Sequence, residues 1–261
     1  MTRLSLAQIR QRYVVELRPL DSATHAALSA DPRPGAKAIL DAIEKRRFAN
    51  RSEGQRLRKM LRYETVLWTA GTRAIAGVDE AGMSPLAGPV AAAAVIFSPE
   101  TRIPGVDDSK KLDAQTRTRL AVEIKETAVA WSVGFAEVAE IDELNIYWAG
   151  MLAMRRAIEG LAVSPEHVLV DGRRIPKLEL DQKAIVGGDG KSLSIAAASI
   201  LAKTARDAVM DRLDAEHPGY GFCRHKGYPV PEHIAALKRL GVTPVHRRSF
   251  GHVKSALASA L

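Results

Sequence analysis

From Ala74 onward, short apolar runs of strand length alternate with longer stretches of helical texture, and several of the runs end on a carboxylate. That alternation restricts the chain to a sheet layered with helices, because each strand has a face to bury and the intervening helices supply the cover. Ala74–Asp79 and Val90–Phe97 read as a hairpin-like pair of strands, and Trp131–Val138 as a third. Thr116–Val129 and Ile141–Leu161 read as helices. Glu166–Asp171, which contains H-V-L-V-D, and Ala184–Val186 read as further short strands, and Ser192–Leu213 as a long Ala-rich helix. Pro231 and Gly241 bracket another helix, and Phe250–Leu261 is expected to close the chain as a helix. A hairpin followed by strand–helix–strand crossovers predicts an α/β fold with a mixed sheet and helices on its faces.

Residues 1–70 differ in texture and are predicted to be a small, mainly helical appendage to a domain spanning 71–261. Pro32, Pro34 and Gly35 precede a helical stretch, Ala36–Phe48. A second helix is expected from Ser52, with Gln55 three residues on as a capping-box pattern. Leu57, Met60, Leu61, Leu67 and Trp68 share one face there, and Arg56, Arg58, Lys59 and Arg62 the other. The basic face suits either nucleic acid or plain solvent.

The net charge of +8 and pI near 9.7 fit a polyanionic partner, although charge alone is also met in ordinary basic proteins. Cys223 is the one cysteine, which excludes an intramolecular disulfide. The longest apolar run, Ala87–Phe97, is too short to span a membrane, and Met1–Leu20 lacks the apolar stretch of a secretory signal. A cytoplasmic location, a monomer and no membrane partner are expected.

The chemical signal is the placement of acids. Asp79 and Glu80 end one strand, in A-G-V-D-E-A-G; Asp171 ends another, in V-L-V-D-G; Asp189 follows a short strand and two glycines, in I-V-G-G-D-G. Taken singly, an Asp after a strand is a common turn residue, and Asp-Gly a frequent turn pair. Together, at the ends of neighbouring strands, they converge on one sheet edge, where mutual repulsion favours a bound cation. Hard oxygen donors suit Mg²⁺ or Mn²⁺, and a two-ion site cleaves phosphodiesters. No Cys/His spacing points to zinc. The spacing leaves the substrate open.

The words around these acids resemble bacterial ribonuclease HII. The matching stretches are G-V-D-E-A-G with P-L-A-G-P-V (77–90), D-S-K-K-L (108–112), E-I-D-E-L-N-I (140–146), V-D-G (170–172), S-I-A-A-A-S-I-L-A-K with R-D (194–207), Y-G-F with H-K-G-Y-P (220–229) and H-R-R-S-F-G (246–251). D-P-R-P-G (31–35) and R-L-R-K-M-L-R-Y-E (56–64) resemble the N-terminal extension of some members. The resemblance implies a ribonuclease H-like mixed five-stranded sheet flanked by helices. It maps the catalytic, metal-binding tetrad onto Asp79, Glu80, Asp171 and Asp189. It implies hydrolysis of RNA in RNA–DNA hybrids and incision on the 5′ side of a ribonucleotide embedded in duplex DNA, leaving 3′-hydroxyl and 5′-phosphate ends. Tyr228 matches the residue that packs on a deoxyribose at the RNA–DNA junction. Ser109 and Lys110 match a substrate-contacting loop, and Lys203 and Arg206, one helical turn apart, are expected to face a phosphate. His246, Arg247 and Arg248 on their own read as a basic surface cluster.

The chain departs from the family where Gly-Arg-Gly is usual: here the triplet is Gly82-Met83-Ser84. In the family this loop reads the ribose 2′-hydroxyl, largely through backbone groups. Met83 removes a cation and Ser84 adds a Cβ, which puts junction reading and substrate affinity at issue, not the acids. A type III-like ribonuclease H acting on hybrid stretches alone, and a non-catalytic basic nucleic-acid-binding protein, are the alternatives. Gly187 stands where lysine is common, Val230 where threonine is, and His252 where proline is; no mechanism attaches to Val230 or His252.

Overall fold

The computed structural model describes residues 4–258, so the ends of the Met1–Leu20 stretch and of the expected Phe250–Leu261 helix lie outside the described residues. The chain forms two compact units, one running to Arg58 and one from Lys59. In the first, α1 (Leu6–Arg10) continues into a π-helical turn, Gln11–Val15, followed by α2 (Ser22–Ser29) and the long α3 (Pro34–Met60). Tyr13, Leu28, Ala36, Ile39 and Ile43 form its core. The Tyr13 hydroxyl donates to Asp21 (2.7 Å), the residue that caps α2. The expected break before Ser52 does not occur; α3 runs through it. Gly54 is the one poor helix former there, and a lone glycine costs only about 1 kcal/mol against alanine.

The second unit begins with α4 (Arg62–Thr69), then β1 (Ile75–Ala81), β2 (Val90–Ile96), α5 (Ala114–Thr127), β3 (Ala130–Ala136), α6 (Val138–Leu144) and α7 (Ile146–Glu159). It continues with β4 (His167–Asp171), β5 (Asp181–Ile185), a 3₁₀ turn (Gly188–Gly190), α8 (Leu193–Glu216), α9 (Phe222–His225), α10 (Pro231–Leu240) and α11 (Gly251–Ala258). The sheet is mixed and five-stranded, in the order β3-β2-β1-β4-β5. β1 pairs antiparallel with β2 and β2 with β3, whereas β4 and β5 run parallel to β1. The helix expected over Ile141–Leu161 is two helices. Asn145 adopts φ 73° between them, and its side chain accepts from the N–H groups of Tyr147 and Trp148 to start α7.

Side-chain alternation along β1 assigns its faces. Val78 joins the core built with α7, while Ile75 packs with Ile195 of α8 and with Tyr63, Leu67 and Trp68 of α4. Those contacts place α4 with the sheet. Gly77 faces α8 at the closest approach: a Cβ there would lie 2.2 Å from the backbone carbon of Ser194. β2 is Val-Ala-Ala-Ala-Ala-Val-Ile and fully buried, its small residues letting helices close on both sides. No helix among the described residues is long and apolar enough to cross a membrane.

Beyond the sheet, three histidines are threaded through the last third of the chain. Thr243 N–H donates to His246 Nδ1 (3.1 Å), so His246 Nε2–H donates to His233 Nε2 (3.2 Å). His233 Nδ1–H then donates to the Tyr228 carbonyl (2.9 Å), and His225 stacks on His233 at 4.6 Å. The chain of bonds has no place for another proton. Burial, then the neighbouring His233, lowers His246 from 6.5 to about 4. The folded state thus binds a proton more weakly than the unfolded one. The contribution is present above pH 6.5 and lost as pH falls toward 4. Urea unfolding from pH 7.5 to 4.5 is expected to show His246→Asn flattening this loss by up to ~3 kcal/mol; an equal pH slope in variant and parent contradicts the relay.

Candidate active site

Parallel pairing of β1 with β4 and β4 with β5 brings three chain segments out at one edge of the sheet. Asp79 and Glu80 lie at the end of β1, Asp171 ends β4, and Asp189 sits in the 3₁₀ turn that follows β5. Asp79 is 4% exposed and Asp189 is also buried, while Glu80 and Asp171 are half-buried. Burial, then the charges of Glu80 and Asp171, pushes the Asp79 carboxyl well above its ordinary range. Burial and Asp171 raise Glu80; burial, Asp108 and Asp171 raise Asp189. Local bonds fix the frame: Asp79 Oδ1 accepts from the Glu80 N–H (2.8 Å), and Asp171 Oδ1 from the Gly188 N–H (2.6 Å).

Lys110 stands over this cluster, its Nζ 3.7 Å from Asp189. Burial opposes its charge, but Asp189, Asp108, Asp79 and Asp171 outweigh that and raise its pKa. Ser109 is buried, its hydroxyl 2.9 Å from that of Ser199, and Ser199 in turn hydrogen-bonds Asp79. Ser109 thus braces an acid through Ser199, and of the expected loop pair it is Lys110 that remains exposed. Arg117 supports the same loop by donating to the carbonyls of Ser109 (3.1 Å) and Leu112 (2.5 Å).

The remaining residues divide. Tyr228 is 39% exposed and borders a groove with Lys203, Arg117 and Lys226; the Lys203 ammonium is 6.0 Å from its ring centroid and bonded to Asp207 (2.6 Å). Ser84 is exposed and Gly82 buried. Met83 turns inward onto α7, where a Cβ on Gly150 would come 3.0 Å from its sulfur. Arg206 is 1% exposed and bonded to backbone carbonyls, so it does not face a phosphate. The surface reading of 246–248 holds for Arg248; His246 and Arg247 are buried.

Sequence reasoning missed Asp108, which acts on both Asp189 and Lys110, and also missed Ser199 and Arg117. Asp108 had a signal, since it opens D-S-K-K-L. Ser199 lies within S-I-A-A-A-S-I-L-A-K, where it reads as one more small residue of an Ala-rich helix, and Arg117 is one of several polar residues on α5. Among the described residues no three acidic, imidazole or thiol side chains already converge on a common point at ligating distance. The donor set nonetheless fits a hard divalent cation. It consists of carboxylate oxygens, gathered where burial and mutual repulsion penalise their charge, and such a cation relieves that penalty.

The family profile described as "Ribonuclease HII" matches residues 76–253, and that of the "Ribonuclease HII N-terminal domain" matches 5–68. The chain belongs to the ribonuclease HII family. Members of this family are endoribonucleases of the ribonuclease H type, and so is this protein. A ribonuclease HII from Anaeromyxobacter sp. (strain Fw109-5) is 57% identical over all of this chain and 82% of its own length. One from Myxococcus xanthus (strain DK1622) is 56% identical over 97% of this chain and 87% of its own. Among solved structures, the ribonuclease H2 of Pyrococcus horikoshii OT3 superposes with TM-score 0.62 at 26% identity, covering 71% of this chain and 98% of that one. The Archaeoglobus fulgidus ribonuclease HII, solved in complex with PCNA, gives 0.58 at 28% identity, covering 68% and 95%.

The electrostatics yield a pH prediction. Lys110 lowers the pKa of both Asp189 and Glu80, so Lys110→Met raises them, and the ionised site forms at higher pH. The acid limb of the kcat/KM profile is expected to move to higher pH in Lys110→Met. A limb that stays in place, with activity merely scaled down, contradicts the assignment.

Proposed function

We propose that this ribonuclease HII family member hydrolyses the RNA strand of RNA–DNA hybrids and incises on the 5′ side of a ribonucleotide embedded in duplex DNA, leaving 3′-hydroxyl and 5′-phosphate ends. Its biological role is removal of misincorporated ribonucleotides. The observation that carries the reading is the gathering of Asp79, Glu80, Asp171 and Asp189 at one sheet edge under Lys110, in a chain of this family. These four carboxylates are the groups that hold Mg²⁺ or Mn²⁺, two ions in the favoured form. Bound there, the metal supplies the charge stabilisation that phosphodiester cleavage requires.

The chain's own residues bind and orient the nucleic acid. The surplus of eight positive charges draws in a polyanion, and Lys110 and Lys203 offer ammonium groups to its phosphates. The half-exposed Tyr228 ring packs on a deoxyribose and resists a 2′-hydroxyl, while the backbone of Gly82, Met83 and Ser84 meets the ribose. Met83, turned into the core, contributes no side chain to substrate. Met83 and Ser84 in place of Arg and Gly favour the second reading, a nuclease of hybrid stretches alone.

An end-labelled DNA duplex with one ribonucleotide, assayed beside a uniform RNA–DNA hybrid with and without Mg²⁺ or Mn²⁺, separates the two. A metal-dependent cut 5′ of the lone ribonucleotide is expected, with Asp171→Asn reducing turnover by about 10³-fold or more while duplex binding persists. Cutting of the hybrid alone replaces the proposal with the second reading. Full activity in Asp171→Asn overturns the metal-site assignment.

A further inference from the structure

Two arginines carry buried positive charge next to the loop that follows β1. Arg206, on α8, donates from Nε to the Pro89 carbonyl (3.0 Å), from Nη2 to Ala87 (3.0 Å) and from Nη1 to Lys226 (3.0 Å). Arg247, just before α11, donates from Nε to Gly88 (2.9 Å), from Nη1 to Met83 (3.3 Å) and from Nη2 to Gly82 (2.7 Å) and Pro89 (3.2 Å). Arg206 is 1% exposed and Arg247 0%. Among the described residues no carboxylate hydrogen-bonds either guanidinium; Phe250 covers the Arg247 plane at 5.2 Å.

Two like charges out of water are costly; carbonyl dipoles meet them directly, and Asp207 acts on Arg206 and Asp142 on Arg247 without a hydrogen bond. What the arrangement fixes is the course of the loop. Residues 82–90 turn the carbonyls of Gly82, Met83, Ala87, Gly88 and Pro89 inward onto the guanidinium forks, and the Arg247 N–H takes that of Leu86 (2.8 Å). Gly82 stands at φ 95°, and a Cβ there would lie 2.2 Å from Arg206 Nε, so no other residue lets the fork approach. With the carbonyls engaged inside, the N–H groups of Met83 and Ser84 have no protein acceptor among the described residues. Arg206 also reaches the tyrosine segment, holding the Lys226 carbonyl, whereas Arg247 connects to it through Leu86, whose N–H donates to the Gly227 carbonyl (2.8 Å).

We infer that Arg206 and Arg247 are positioning residues for ribonucleotide recognition, clamping the Gly82–Ser84 loop and the Tyr228 segment into one rigid reader. The inference rests on the proposal that these two segments read the RNA–DNA junction. Each arginine presents a planar fork of five N–H donors, which is what gathering several carbonyls at fixed angles requires; lysine keeps the charge and lacks the fork. The two charges also place a positive field beneath the outward amides of the loop, where a hydroxyl or phosphate oxygen arrives.

Arg206→Lys and Arg247→Lys test this through a ratio: kcat/KM for the lone-ribonucleotide duplex divided by kcat/KM for a uniform hybrid. The hybrid offers many registers and no deoxyribose for Tyr228, so its cleavage leans less on the reader. Each lysine variant is expected to lower the ratio by about tenfold, the scale of a lost positioning interaction, mostly through the lone-ribonucleotide substrate. Equal losses on both substrates, or failure of both variants to fold, make the arginines structural supports alone and overturn the inference. Tyr228→Ala is measured alongside. A ratio lowered by Tyr228→Ala but not by the lysine variants removes the clamp and keeps the junction reading; a ratio unmoved by Tyr228→Ala removes both.

Discussion

The structure depends on the cost of holding several carboxylates together at a dry sheet edge. Asp79 is buried, Glu80 and Asp171 act on it, and Asp108 and Asp171 act on Asp189. Left to hydrophobic burial alone, a strand end would not gather like charges. The topology does it: parallel addition of β4 and β5 to β1 brings their C-terminal ends to one edge. Only Lys110 pairs with the tetrad among the described residues, and one exposed ammonium cannot neutralise it. The site is therefore shaped for further positive charge.

Around the acids, the polar groups that hold the site in place are mostly internal. Ser199 and Ser109 brace Asp79, Arg117 braces the Ser109–Lys110 loop, and Arg206 with Arg247 hold the loop after β1. Ser109, Arg206 and Arg247, which the sequence places at a substrate loop or a basic surface, are spent on the frame instead. Of the residues expected to meet substrate, Lys110, Ser84 and Tyr228 face outward and Lys203 is half-buried. A nuclease that reads sugar geometry needs this division, because a loop or ring misplaced by 1 Å loses discrimination.

Much of this is legible in the sequence. Strands β1 to β4 are short and largely apolar, so their limits lie within a few residues of the expected ones, whereas β5, Asp-Gln-Lys-Ala-Ile at the sheet edge, begins three residues before the apolar signal at Ala184. The four acids stood out because each ends or follows such a strand. The misses have physical causes. Asn145 breaks a helix by its own φ 73° and caps the next with its side chain, a dual use that apolar periodicity does not register. Ser52 followed by Gln55 mimics a helix start inside α3, since the same pair is tolerated in a helix interior. Arg206 and Arg247 read as surface cations because a sequence carries no mark of which guanidiniums will meet carbonyls in the interior. Met83 read as an altered substrate contact, whereas Gly150, far away in sequence, opens the space it fills on α7.

The central claim, that the buried acids are held against their own repulsion, is tested most directly by thermal unfolding of the parent and Asp79→Asn at pH 8, without divalent metal and again with Mn²⁺. A raised carboxyl pKa in the folded state means that ionisation weakens the fold as pH rises, and the neutral amide escapes that penalty. Asp79→Asn is expected to melt a few degrees above the parent without metal, on the scale of about 1–2 kcal/mol for a chain of this size, and Mn²⁺ to raise the parent but not the variant. A variant that melts below the parent without metal would show that the bonds from Ser199 and the Glu80 N–H outweigh repulsion, and would contradict the account.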